Sequence, residues 1–129
     1  MCIQAQWDTQ DPDILVFDLR CDWTWNMFHT TAQEVAATIS AVNHPVYVMT
    51  LSAPHFPPSP SVLSEFQKVS RVLPSNIALI VVVTDNYMIR AVNEVFFRVS
   101  PLAQRIGRLA KTPDAARQLI AEHRAKRIS

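Results

Sequence analysis

Seven consecutive apolar residues, Ile77 to Val83 (IALIVVV), constrain this chain more than any other feature. A strand built from them has no polar face to give to water, so both of its sides must be covered. The run is short for a helix and rich in β-branched residues, which favours a strand. Pro74-Ser75-Asn76 precedes it and Thr84-Asp85-Asn86 follows it, so turns bound it on both sides. Such a strand belongs inside a parallel sheet with helices packed on it. It is also far too short to span a bilayer.

The remaining segments supply the partners this strand needs. CIQAQW (2–7) reads as a short alternating strand, DTQDPD as a turn, and ILVFDLR (14–20) as a second strand. Trp25, Phe28, Ala32, Val35 and Ile39 fall at helical spacing behind Thr24, a residue type suited to an N-cap. Asn43-His44-Pro45 ends that helix, and VYVMTL (46–51) follows as the third strand. Val62, Phe66, Val69 and Leu73 mark a second helix; Ile89, Val92, Phe96 and Val99 mark a third, which Pro101 closes. Arg105 to Ala110 alternates polar and apolar residues, as an edge strand with one solvated face does. Thr112-Pro113 opens a last helix with Ala116, Leu119, Ile120 and His123 on its apolar side, and the basic tail 124–129 is expected to fray. The order β-β-α-β-α-β-α-β-α predicts one α/β domain over residues 1–129. Its sheet is five-stranded and mostly parallel, with an antiparallel N-terminal strand and about four covering helices.

Composition removes several chemistries. The chain holds a single glycine, Gly107, so neither a P-loop nor a GxGxxG turn can be assembled. His29, His44, His55 and His123 show no ligand spacing, so no metal and no cofactor is expected. Cys2 and Cys21 are too few for a zinc site, although a hairpin centred near Asp11 would set them across from each other. MCIQAQWD carries neither a basic n-region nor an apolar h-region, so the reading is a soluble, cytoplasmic chain with no membrane partner. In that compartment the two thiols are expected to be reduced. Charge is uneven: three basic against eight acidic residues up to position 87, then nine against three. The late basic residues Arg105, Arg108, Lys111, Arg117, Arg124, Lys126 and Arg127 have no aromatic platform among them. They read as a solvated face rather than a nucleic-acid site.

Three segments carry a resemblance. ILVFDLRCDWTWNMF leads into the first helix, HPVYVMTL forms the next strand, and VLPSNIALIVVVTDN precedes the third helix. Together, over roughly residues 2–123, they resemble the STAS family typified by the bacterial anti-sigma factor antagonist SpoIIAA, and more closely its divergent SpoIIAA-like group. The resemblance implies a STAS-like sandwich and a non-catalytic regulatory or protein-interaction module in bacterial signalling. Its implied partner is a kinase or another anti-sigma-like regulator. In that family a kinase phosphorylates a serine after the third strand, within an Asp-Ser-Ser-Gly-like motif. Here Phe56-Pro57-Pro58-Ser59-Pro60-Ser61 stands in that place, with Ser59 at the phosphoacceptor position, Ser61 close by, and no aspartate or glycine. Ser59-Pro60 equally matches an N-cap followed by proline at the first helical position.

In a parallel sheet, ligands and partners meet the loops at the carboxyl ends of the strands. Three loops qualify: Cys21 to Trp25, Ser52 to Ser61, and Thr84 to Tyr87. They gather Trp23, Trp25, His55, Phe56, Asp85, Asn86 and Tyr87 on one edge as a candidate partner or ligand surface. Trp25 and Tyr87 also suit a core-capping role at the starts of their helices; for Trp23 the two readings weigh evenly. His55, Ser59 and Asp85 have the residue types of a Ser-His-Asp triad, but no GxSxG elbow accompanies them, so no enzyme is expected. Pro54 to Pro57 and Pro57 to Pro60 fit PxxP without a flanking arginine. Two binding hypotheses stand. One is protein docking at the loop edge, with a homodimer as a further candidate assembly. The other is a small apolar ligand among Trp23, Trp25 and Phe56. An enclosed cavity beneath the loops would favour the ligand; a flat aromatic edge would favour the protein.

Overall fold

In the computed structural model, which describes residues 2–128, the apolar run forms a strand inside a five-stranded sheet. In chain order the strands are β1 (Gln4–Trp7), β2 (Ile14–Asp18), β3 (Val46–Leu51), β4 (Ile77–Val83) and β5 (Gly107–Ala110). The helices are α1 (Trp25–Ser40), α2 (Val62–Ser70), α3 (Tyr87–Val99), α4 (Pro101–Ile106) and α5 (Pro113–Ile128). Spatial order follows sequence order, with β1 antiparallel to β2 and every later pair parallel. The predicted α/β architecture is therefore the observed one.

The hairpin register explains the N-terminus. Trp7 pairs with Leu15 and Gln4 with Asp18, which centres the turn on Asp11. Asp11 Oδ1 accepts the Asp13 amide at 3.0 Å and so closes the turn locally. Two residues beyond Gln4, the same register sets Cys2 opposite Arg20, next to Cys21. Their Cα atoms are 6.0 Å apart and the two sulfurs form a disulfide, which corrects the expectation of a reduced pair.

Every parallel crossover steps to the next position in the same direction. Right-handed connections then put α1, α2, α3 and α4 on one face of the sheet. The strands divide their side chains accordingly. Leu15, Phe17, Val46 and Val48 join the core with α1, while Ile14, Tyr47, Met49 and Leu51 join Ala116 and Ile120 of α5 on the opposite face. Val46 pairs with Ile77 but Tyr47 with Leu79, so Ala78 is the extra residue of a bulge. That bulge sends both Ala78 and Leu79 toward α5.

Local chemistry sets the ends of the helices. Thr24, Ser61, Asn86 and Ser100 each accept a backbone N–H from the first turn that follows. Asn76 donates through Nδ2 to the carbonyls of Ile39, Val42 and His44, which fixes the exit of α1. Three expectations change. Pro101 does not merely close α3: Ser100 caps a new short helix with proline at its first position, so there are five helices and β5 begins only at Gly107. The cap of α2 is Ser61, not Ser59. The basic tail does not leave the helix at 124: α5 continues to Ile128, and Arg124 Nη1 donates to Asp11 Oδ2 at 2.9 Å. Among the described residues no helix is long and apolar enough to cross a membrane.

Candidate functional site: a cavity beneath the loop edge

Aromatic side chains close the top of the multi-helix face. Trp23 meets Trp25 edge-on at 5.0 Å between ring centroids, and Trp25 stacks on Phe56 at 6.0 Å. Phe56 meets Phe66 at 5.6 Å, and Phe66 meets Phe96 at 5.4 Å. Both buried indoles are satisfied: Trp23 Nε1–H donates to Leu19 O and Trp25 Nε1–H to Pro57 O, each at 3.1 Å. These two tryptophans are therefore core residues that roof the interior, and Phe56 is half-buried with them.

Beneath this roof lies an apolar cavity of about 130 Å³, walled by Phe17, Trp23, Phe28, Val48, Val69 and Ile80 among others. A second cavity of about 110 Å³ adjoins it toward α3 and α4, with Phe28, Phe66, Val69 and Ile80 common to both. Its far wall is drawn in at Gly107. A Cβ there would stand 2.6 Å from both Ala103 O and Phe97 Cε1, so the chain's one glycine permits a close approach. The helix covering both spaces is α2. It is amphipathic, yet none of its residues is fully buried; Val62, Phe66 and Val69 pack only partly against the core.

Polar anchors hold α2 from outside. Glu65 receives hydrogen bonds from His29 Nε2 (3.0 Å), Ser59 Oγ (3.2 Å) and Lys68 Nζ (3.3 Å). A carboxylate only accepts, so the His29 proton in this contact sits on Nε2. His29 first, with help from Lys68 and Ser59, holds the Glu65 carboxyl below its ordinary range against the opposing effect of burial. Ser59 Oγ also accepts the Ser61 amide at 3.1 Å.

The other candidate residues separate. His55 and Asp85 are exposed, His55 at the rim of the cavity. Asn86 is an N-cap, its Oδ1 accepting from Ile89 N at 3.0 Å. Tyr87 does not cap the core: it is 80% exposed, and Met88 beside it is 67% exposed. Among the described residues no hydrogen bond joins His55, Ser59 and Asp85, because the Ser59 hydroxyl is committed to Glu65. No cluster of metal-ligating side chains occurs among them either.

Asn93 was not singled out in the sequence, yet it is a buried polar residue lining both cavities. Its signal was available. It sits four residues after Ile89 and three before Phe96, a polar side chain on the apolar stripe of α3. Comparison with protein-family models, with curated proteins and with solved structures gave no match.

Proposed function

We propose that this protein is a binding module that takes a small apolar molecule, about the size of one aromatic ring, in the cavity under α2. The carrying observation is the cavity itself, about 130 Å³ and walled almost wholly by hydrocarbon. Apolar cavities near 150 Å³ stay dry and admit benzene. Keeping such a space costs stability, and a ligand filling it restores the lost contacts. The entry route is α2, whose apolar side chains are only partly buried and whose outer anchors are polar. This reading is one of binding and not of catalysis.

The test is a thermal-shift and calorimetric screen with neutral ring-sized compounds. A compound at one hundred times its Kd should stabilise the fold by about 2.7 kcal/mol. Ala36→Leu, which fills the wall, should remove that shift while raising the stability of the free protein. If no ring-sized compound raises the Tm of the wild type, the reading is wrong.

A second reading, regulation through a protein partner as the STAS resemblance implies, draws support from exposed Tyr87 and Met88 at the loop edge. It also draws support from Ser59: a phosphate there would face the Glu65 carboxylate that anchors α2. Under this reading the partner is another protein, such as a kinase. The variant Tyr87→Ala/Met88→Ser should then abolish partner capture without altering ring-compound binding.

A further inference from the structure

Asn93 is 5% exposed and lies in the wall common to the two cavities. Its Nδ2–H donates to Ile89 O at 2.8 Å, which settles the end of the amide that is engaged. In an α-helix that carbonyl already accepts the Asn93 backbone N–H, so the extra bond adds little to the fold. No described residue donates to Asn93 Oδ1. With Nδ2 engaged, the oxygen is the end of the amide left to meet whatever occupies the cavities.

We infer that the ligand is a neutral, ring-sized molecule carrying one hydroxyl or N–H donor, of the phenol or indole class, and that Asn93 Oδ1 accepts that donor. The polarity follows from the wall. Thr50 and Ser52 also line the first cavity, but a hydroxyl both donates and accepts and so selects nothing. The Asn93 oxygen only accepts, so its partner must donate. Neutrality follows because His55, at the rim, is the wall's only ionisable side chain, and no carboxylate or guanidinium lies inside to pair with a charge.

This inference rests on the cavity being a ligand site, and the experiment separates the two claims. Phenol and toluene, and indole and indene, are pairs of nearly equal shape that differ in the donor. Their affinities are measured by calorimetry for the wild type and for Asn93→Leu. The expected result is that the phenol-to-toluene affinity ratio falls about tenfold in Asn93→Leu, with toluene binding unchanged or tighter. An unchanged ratio, or toluene binding without phenol binding in the wild type, overturns the donor inference and leaves the cavity reading standing. Failure of all four probes to bind the wild type overturns both. Should Asn93→Leu not fold, the wild-type side-chain amide resonance of Asn93 decides: it should shift with phenol and indole and stay in place with toluene and indene.

Discussion

The two faces of the sheet solve the same covering problem in different ways. One helix, α5, covers its face and leaves little unfilled: Leu79, Val81, Ala116 and Ile120 are all 1% exposed or less. Its ends are clasped to the hairpin turn. Arg117 grips Asp8 through two bonds of 2.8 and 2.9 Å, Arg124 reaches Asp11, and the Arg124 guanidinium lies 5.2 Å from the centre of the Tyr47 ring. Four helices cover the other face, yet there the two apolar cavities lie and there α2 buries no residue fully. More helices do not mean denser packing. The single helix sits mostly on aliphatic side chains that interlock around one ring, Tyr47, whereas the four meet largely through rings of fixed shape that leave space between them. The tight face reads as the frame and the loose one as the site.

The comparison can be broken most forcefully by truncation. Leu79→Ala, on the tight face, should cost about 3–4 kcal/mol, while Leu73→Ala, beside the cavities, should cost about 1–2 kcal/mol. Urea unfolding of both variants measures the gap, and equal losses would erase the distinction. Reducing the disulfide between Cys2 and Cys21 should cost about 3 kcal/mol, since it closes a loop of 19 residues. Because half-buried Cys21 packs against the cavity-side core, reduction should speed exchange of the Trp23 and Trp25 indole N–H groups more than that of the α5 backbone.

Asp8→Asn should come next, at about 1–2 kcal/mol, by weakening a largely buried bidentate ion pair. The same clasp sets the pH response. Arg117 holds Asp8 below the ordinary carboxylate range. At Asp11 burial pulls upward, but the Arg124 bond and the Asp13 amide outweigh it and the net shift is down. These groups bind fewer protons folded than unfolded, so their stabilisation is present above the ordinary carboxyl pKa, about 4. It is lost as pH falls through their lowered values. Burial, then the nearby Arg127, Arg108 and Lys126, lowers His123 also. Its contribution is therefore complete above the ordinary histidine value, about 6.5, and fades as pH falls below it. Stability should decline in two stages on acidification, and Asp8→Asn should blunt only the lower one. The smallest effect expected is that of Ala36→Leu, a gain of about 0.5–1 kcal/mol from filling the cavity.

Much of this was legible in the sequence because hydrophobic period and turn chemistry act locally. The strands β3 and β4 and the helix α1 stand where their patterns put them. The misses lie where one residue type serves two purposes. Ser59 and Ser61 both suit a cap; only in three dimensions does Ser59 turn to Glu65 and leave the cap to Ser61. Pro101 ends one helix and starts another, because Ser100 caps the second. Arg124 looked like tail charge until the hairpin brought Asp11 beneath it, 113 residues away. Of the loop-edge candidates, Trp23, Phe56 and His55 border the cavity and Trp25 stacks on Phe56, but the cavity is a property of packing between helices and no local pattern encodes it. Asn93 alone carried a readable anomaly.

Xenon, which enters dry apolar cavities, tests the asymmetry most directly. Methyl-selective NMR under xenon pressure should show saturable shifts at Val48, Val69, Leu73 and Ile80 and none at Leu79, Val81 and Ile120. Shifts of equal size on both faces, or none on either, would contradict the account.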